Sequence, residues 1–176
     1  MGPHPDPDFR LAFRTPASRK GQPASRKGQE ASVAREWTPE LIQEQFGKRL
    51  GTLFNGHVGI ELVEAAPGFA KLRLPIRDEI LQPTGVVHGG AVCTLADVTA
   101  GVAAHVSYPP GTDIVTVEIK VNFLAGLREG VLLSEAKPLQ IGRRTSVWEI
   151  RINHDSGRPV AFALGTFMVV KHPPEE

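Results

Sequence analysis

The chain has 176 residues, 41% of them hydrophobic and 22% charged, with a formal net charge of +1, which describes one globular domain with a real core and little chain left for a second. A single cysteine, Cys93, excludes an intramolecular disulfide framework and a thiolate zinc site, and points to a reducing compartment. The charge is unevenly spread: residues 1–36 hold seven Lys or Arg against four Asp or Glu, leaving 13 against 15 for the remainder, so the body has no nucleic-acid footprint.

Residues 1–36 contain five prolines and a tandem heptapeptide, Pro16 to Gln22 and Pro23 to Gln29. Such a stretch cannot bury enough apolar surface to offset its chain entropy, and it reads as a flexible, basic N-terminal arm. It has no apolar run of the kind a secretory signal needs, so a cytoplasmic location is expected. Residues 37–172 are left as the folded domain, with 173–176 as a short tail.

Order is expected from Trp37. Thr38 suits a helix cap, Pro39 its first position and Glu40 its positive end, and Leu41, Ile42, Phe46 and Leu50 recur at helical spacing up to Gly51. The period then changes to two. Gly59 to Ala66 and Phe69 to Pro75 read as a hairpin about Pro67-Gly68. Farther on, Thr112 to Phe123 alternates Val117, Ile119, Val121 and Phe123 with Glu118, Lys120 and Asn122, as for a sheet with one buried face. Gly130 to Leu139 and Arg143 to Asn153 follow, separated by a turn at Ile141-Gly142. Asp155-Ser156-Gly157 then turns the chain into a long strand, Pro159 to Val170, with Val160, Phe162, Leu164, Thr166, Met168 and Val170 on one face. The sheet is largely antiparallel.

Between the two sets of strands lies Val87 to Tyr108, ended by Pro109-Pro110-Gly111. From Ala91 to Ala104 it is small and apolar all round, so as a helix it must be enclosed. Its apolar run is short of the roughly 20 residues a bilayer requires and carries an aspartate at mid-length, which favours a core helix over a membrane span.

That aspartate, Asp97, is the only charged residue between Ala91 and Ala104. A carboxylate in apolar surroundings is costly, so it reads either as a tuned general base or nucleophile or as a structural carboxylate satisfied by backbone amides or an arginine. At the start of the helix stand His88, Gly89 and Gly90. Two glycines admit close approach of another molecule, and free N–H groups at a helix N-terminus favour developing negative charge; a tight turn with His88 packed beside it is the alternative. Gln82 offers a further amide donor, or is simply a polar loop residue. Arg143 and Arg144 are candidates for phosphate contacts or for solvated turn residues. His57, His105 and His154 have no metal spacing, and packing or surface roles suit them. Cys93 reads as a small hydrophobe, and neither a metal nor a redox cofactor is expected.

Gln82-Pro83-Thr84-Gly85-Val86-Val87-His88-Gly89-Gly90, followed by Leu95-Ala96-Asp97, resembles the signature of the PaaI-type acyl-CoA thioesterases of the hotdog superfamily. The likeness extends more loosely from about Gly59 to Val170. It implies an α+β hotdog fold, an antiparallel β-sheet wrapped around a long central α-helix. It also implies that Asp97 is the catalytic carboxylate, that the Gly89 amide polarises the thioester carbonyl with Gln82 and His88 in support, and that Thr116 lies near the attacking water. Gly101, one turn after Asp97, departs from some aryl-CoA relatives that carry threonine there, which weakens the transfer of aryl specificity and leaves aryl-CoA as one of the substrates the resemblance allows.

Helix geometry adds a constraint. Gly89 and Asp97 are eight residues apart, about 12 Å along a helix, whereas both groups must approach one carbonyl to roughly 3 Å. Two such helices antiparallel about a two-fold axis would bring Asp97 of one chain opposite Gly89 of the other. The geometry thus argues for a homodimer, and the resemblance implies that it pairs further into a tetramer and hydrolyses acyl-CoA, aryl-CoA or acyl-carrier-protein thioesters, with coenzyme A as part of the substrate; Gly90, Arg143 and Arg144 would contact that substrate. A hotdog dehydratase or hydratase, and a non-catalytic acyl-CoA binding module, are the alternatives.

Overall fold

A computed structural model describes residues 36–171. The arm read at residues 1–36 lies outside the described residues but for Glu36, and so does the tail at 173–176. The elements run α1 (Pro39–Ile42), a π-helical turn (Gln43–Gly47), α2 (Lys48–Leu50), α3 (Leu53–Val58), β1 (Glu61–Ala66), β2 (Phe69–Pro75), a 3-10 turn (Asp78–Ile80), α4 (Gly89–Val106), β3 (Asp113–Phe123), β4 (Val131–Ile141), β5 (Thr145–His154) and β6 (Pro159–Lys171). The six strands form one antiparallel sheet in the order β1-β2-β4-β5-β6-β3. With α4 packed across it, this is the hotdog architecture.

The first helix begins as its sequence suggests, with the Leu41 N–H donating to Thr38 Oγ1 at 3.3 Å. It does not continue unbroken to Gly51. The π-helical turn interrupts it and carries Phe46 against His105 of α4, with ring centroids 5.3 Å apart. α3 was not foreseen, because its sequence, Leu-Phe-Asn-Gly-His-Val, contains a glycine and no helical apolar stripe. It starts on Leu53 at φ 53° and stops on Gly59 at φ 90°, a left-handed cap that glycine adopts without steric cost.

The core lies between α4 and the concave face of the sheet. Leu95, Ala96, Ala100 and Ala103 of the helix are fully buried, as are Leu72, Leu74, Leu132, Trp148, Ile150 and Ile152 of the sheet. Half of α4 is buried inside the fold, which accounts for its apolar character. Trp148 is the largest enclosed side chain, and its Nε1–H donates to Ser146 Oγ at 2.9 Å. Truncating it to alanine would cost about 3–5 kcal/mol through lost transfer energy and the cavity left behind.

Two strand faces differ from expectation. On β6 the inward residues are Ala161, Ala163, Gly165, Phe167 and Val169, while Leu164, Met168 and Val170 point outward. The inner face is small at Ala161, Ala163 and Gly165 and larger at Phe167 and Val169. On β3, Val117 is 58% and Phe123 56% exposed, because β3 is an edge strand that pairs with β6 alone and is bulged between Thr116 and Glu118.

Candidate active site

The loop before α4 is held by its own backbone. The Gln82 N–H donates to Val86 O and the Gly85 N–H to Gln82 O, each at 2.8 Å, with Gly85 at φ 76°, where a side chain is disfavoured. Arg128 Nη1 donates to Thr84 O at 2.9 Å, while Val87 and His88 N–H groups donate to Leu127 O and Ile80 O at 2.8 Å. The helix start is thereby fixed in position.

His88 is the N-cap of α4, and its Nδ1 accepts from the Gly90 N–H at 2.8 Å. Accepting at Nδ1 places the neutral ring's proton on Nε2. A Cβ on Gly90 would come within 2.9 Å of that Nδ1, so glycine is what lets the imidazole cap the helix. The Gly90 amide is therefore occupied. The Gly89 N–H has no partner among the described residues, and it is the orphan donor at this terminus. Gln82 lies nearby with its Nε2 donating to Thr84 Oγ1 at 3.0 Å.

Asp97 is half-buried two turns farther along α4, and its Oδ1 accepts the Thr116 hydroxyl at 2.8 Å. Asp97 and Thr116 open into a cavity of about 540 Å³, floored by Val98, Gly101 and His105 and roofed from α1 to α3 by Phe46 and Leu50. Gly89 and Gln82 open into a different cavity of about 400 Å³, beside Val92 and Phe123. The two cavities share no residue. Edge strand β3 touches both, with Thr116 at one and Phe123 at the other.

Within one chain, then, the structure joins Asp97 to Thr116 and Gly89 to Gln82, and separates the pairs. Arg143 and Arg144 sit exposed on the β4–β5 turn, away from both cavities and without an ion-pair partner among the described residues. The turn itself is anchored, because Tyr108 Oη donates to Gly142 O and the Val169 N–H to Arg144 O, both at 2.8 Å.

Three residues at these cavities have no functional role in the sequence reading, which gives Phe123 and Phe46 only places in their elements and His105 a packing or surface role. Phe123 covers Gly89, where a Cβ would meet its ring at 3.3 Å. His105 lines the Asp97 cavity, edge-on to Trp37 at 6.0 Å and to Phe46 at 5.3 Å. Its burial pushes the imidazole pKa below 6.5, with Asp113 pulling the other way. Phe46 reaches the same wall from the π-helical turn. The Asp97, Gly101, His105 spacing of four and four was the legible signal for His105, since those residues share a helix face. Burial also pushes the Cys93 thiol up, away from thiolate reactivity. Among the described residues no group of three His, Cys, Asp or Glu side chains is gathered as a metal site would require.

The family model for the thioesterase superfamily matches residues 84–161, the stretch that carries Gly89, Asp97 and Thr116. A 1,4-dihydroxy-2-naphthoyl-CoA hydrolase of Listeria monocytogenes is 32% identical over 114 residues, covering 65% of this chain and 93% of that protein. A thioesterase of Pseudomonas aeruginosa, solved as a mutant, superposes with a TM-score of 0.68 at 29% identity, over 72% of this chain and 92% of that one. The PaaI protein of the E. coli phenylacetic acid degradation operon superposes with a TM-score of 0.61 over 65% of this chain and 81% of that one; at 23% identity it speaks to the fold alone. The signature, the sheet with its central helix and these relatives agree, and the chain belongs to the thioesterase superfamily, a hydrolase of thioesters with the hotdog fold.

Proposed function

We propose that the protein hydrolyses acyl-CoA thioesters, with acyl-carrier-protein thioesters as the related substrate, at two equivalent sites built between the protomers of a homodimer. The observation that carries this reading is the separation of Asp97 with Thr116 from Gly89 with Gln82 into two cavities of one chain. Both pairs consist of groups that thioester hydrolysis needs, and eight helical residues hold them about 12 Å apart. A two-fold axis beside α4 and β3 would set the Asp97 cavity of one protomer against the Gly89 cavity of its partner. Val115, Val117, Phe123 and Leu124, all exposed along β3 and just after it, give that axis an apolar seat.

In that arrangement the free Gly89 N–H polarises the thioester carbonyl and holds the oxyanion as charge develops on it, with Gln82 as a second donor. His88 acts through the backbone, since its cap fixes the first turn. The Asp97 carboxylate, oriented by the Thr116 hydroxyl, takes a proton from water as that water attacks the carbonyl carbon, or itself attacks that carbon to form an anhydride that water then cleaves. Collapse of the tetrahedral intermediate breaks the carbon–sulfur bond, and the thiolate leaves to be protonated. The chemistry draws on the protein's own groups, with no cofactor and with coenzyme A as part of the substrate. The Listeria relative's name supports a CoA thioester. On the resemblance alone, Gly90, together with Arg143 and Arg144, which line neither cavity of their own chain and have no ion-pair partner among the described residues, is assigned to the coenzyme portion.

The outward apolar residues of β4 and β6, among them Leu139, Ile141, Met168 and Val170, are assigned to pairing of dimers into a tetramer. With one free thiol in the chain, we place the enzyme in the cytoplasm. The test is thiol release from purified protein offered acetyl-, octanoyl-, palmitoyl- and benzoyl-CoA. Asp97→Asn should keep the fold and lose most turnover, by about 10²-fold or more, as expected for removing a general base or nucleophile. Near wild-type release by that variant would overturn the assignment.

A further inference from the structure

Gly101 is a helix-interior residue whose missing side chain the fold does not require. A Cβ built on it has Phe167 Cε1 at 3.7 Å as its nearest neighbour, an ordinary contact, and its backbone is helical rather than left-handed. Glycine destabilises a helix interior relative to alanine. Something other than packing within the chain accounts for it.

The position lies between Asp97 and His105 on one face of α4, and all three line the 540 Å³ cavity, a volume in the range of small-molecule sites. From Asp97 to His105 the cavity floor runs about 12 Å along the helix. Its lining mixes apolar side chains, among them Phe46, Leu50, Ile114 and Phe167, with polar ones that include Arg49 and Asp113. At its far end stand the Phe46 and His105 rings, backed by Trp37, which packs against both and whose Nε1–H donates to Tyr108 O at 2.7 Å. A side chain at residue 101 would divide this space.

On the thioesterase reading above, we propose that Gly101 is the residue that sets acyl-chain selection: it keeps open a channel along α4, from Asp97 to the rings of Phe46 and His105, in which the apolar side chains of the lining take an uncharged straight acyl chain of medium length. With carbon–carbon bonds of about 1.5 Å, a zigzag chain of roughly eight to ten carbons spans the channel. A single aromatic ring fills only its first part.

The experiment compares wild type, Gly101→Ala and Gly101→Leu for kcat/KM on acetyl-, butyryl-, octanoyl-, decanoyl- and benzoyl-CoA, with melting temperature and oligomeric state measured on each. The same CoA esters are titrated calorimetrically into Asp97→Asn and Asp97→Asn/Gly101→Leu, a readout of chain recognition that needs no turnover. The expected result is a wild-type preference for octanoyl- or decanoyl-CoA over acetyl- and benzoyl-CoA. The octanoyl-to-acetyl ratio should fall roughly tenfold to a hundredfold in Gly101→Leu and less in Gly101→Ala, in line with the cost of lost methylene contacts. Melting temperature should be unchanged or raised, and the titrated affinity should lose its dependence on chain length in the double variant. A benzoyl-CoA preference, or an equal loss for every chain length, would overturn the channel. A changed oligomeric state in Gly101→Leu would also overturn it, by assigning the glycine to the interface. Affinity that rises with chain length in Asp97→Asn, together with wild-type protein that releases no thiol, would refute hydrolysis while leaving the channel standing.

Discussion

The Thr116 hydroxyl on β3 donates to Asp97 Oδ1 on α4 at 2.8 Å, tying the edge strand to the carboxylate of the central helix. The bond joins residues 19 apart across the Pro-Pro-Gly turn, and it lies just ahead of the bulge that shifts the β3–β6 register between Thr116 and Glu118. Its effect is on orientation, because a carboxylate with one oxygen held has fewer rotamers left to search before it meets a substrate.

Thr116→Val, which removes the donor and preserves shape, should lower kcat by roughly tenfold, the scale of one charge-assisted hydrogen bond at a partly solvated site. KM should change little. Thr116→Ser should restore most of the rate, since it returns the hydroxyl without the methyl. Steady-state kinetics on the three proteins decides the matter, and a Ser variant as poor as Val would assign Thr116 to packing.

The shared site is tested by complementation. Asp97→Asn and Gly89→Pro homodimers should each be inactive, because every site in each lacks one part. Proline lacks only an N–H that the first helical turn leaves unpaired, although the Phe123 ring beside Gly89 makes circular dichroism on that variant a necessary control. Mixed and re-formed dimers should recover about a quarter of wild-type activity, since half the dimers are heterodimers and each has one intact site. Folded, exchanged dimers that stay at background would place the whole site within one chain.

His105 makes stability depend on pH. Burial beside Trp37 and Phe46 holds its pKa below 6.5, so the unfolded chain takes up the proton before the folded one. The neutral ring's contribution is fully present above pH 6.5 and declines as pH falls toward the lowered folded value. His105→Gln should therefore lose less melting temperature than wild type between about pH 7.5 and about pH 5.5. Equal losses in both proteins would mean that other groups govern the acid response.

Much of the molecule was legible in its residues. Period-two alternation located all six strands within a few residues, and an almost wholly apolar stretch between proline-rich and glycine-rich turns located α4, because both patterns follow from local geometry. The separation of Gly89 from Asp97 was also legible, since helix rise is the same in every fold, and the two residues do open into different cavities of one chain. Tertiary packing decided the rest. Which apolar face of β6 turns inward depended on its register between β5 and β3, and period two is silent on that when both faces are apolar. The exposure of Val117 and Phe123 followed from β3 taking the sheet edge, a matter of strand order rather than of any strand's own sequence. The wall made by Trp37, Phe46 and His105 joins the first helix to the last turn of α4, and contacts between distant segments become visible only when the chain has folded.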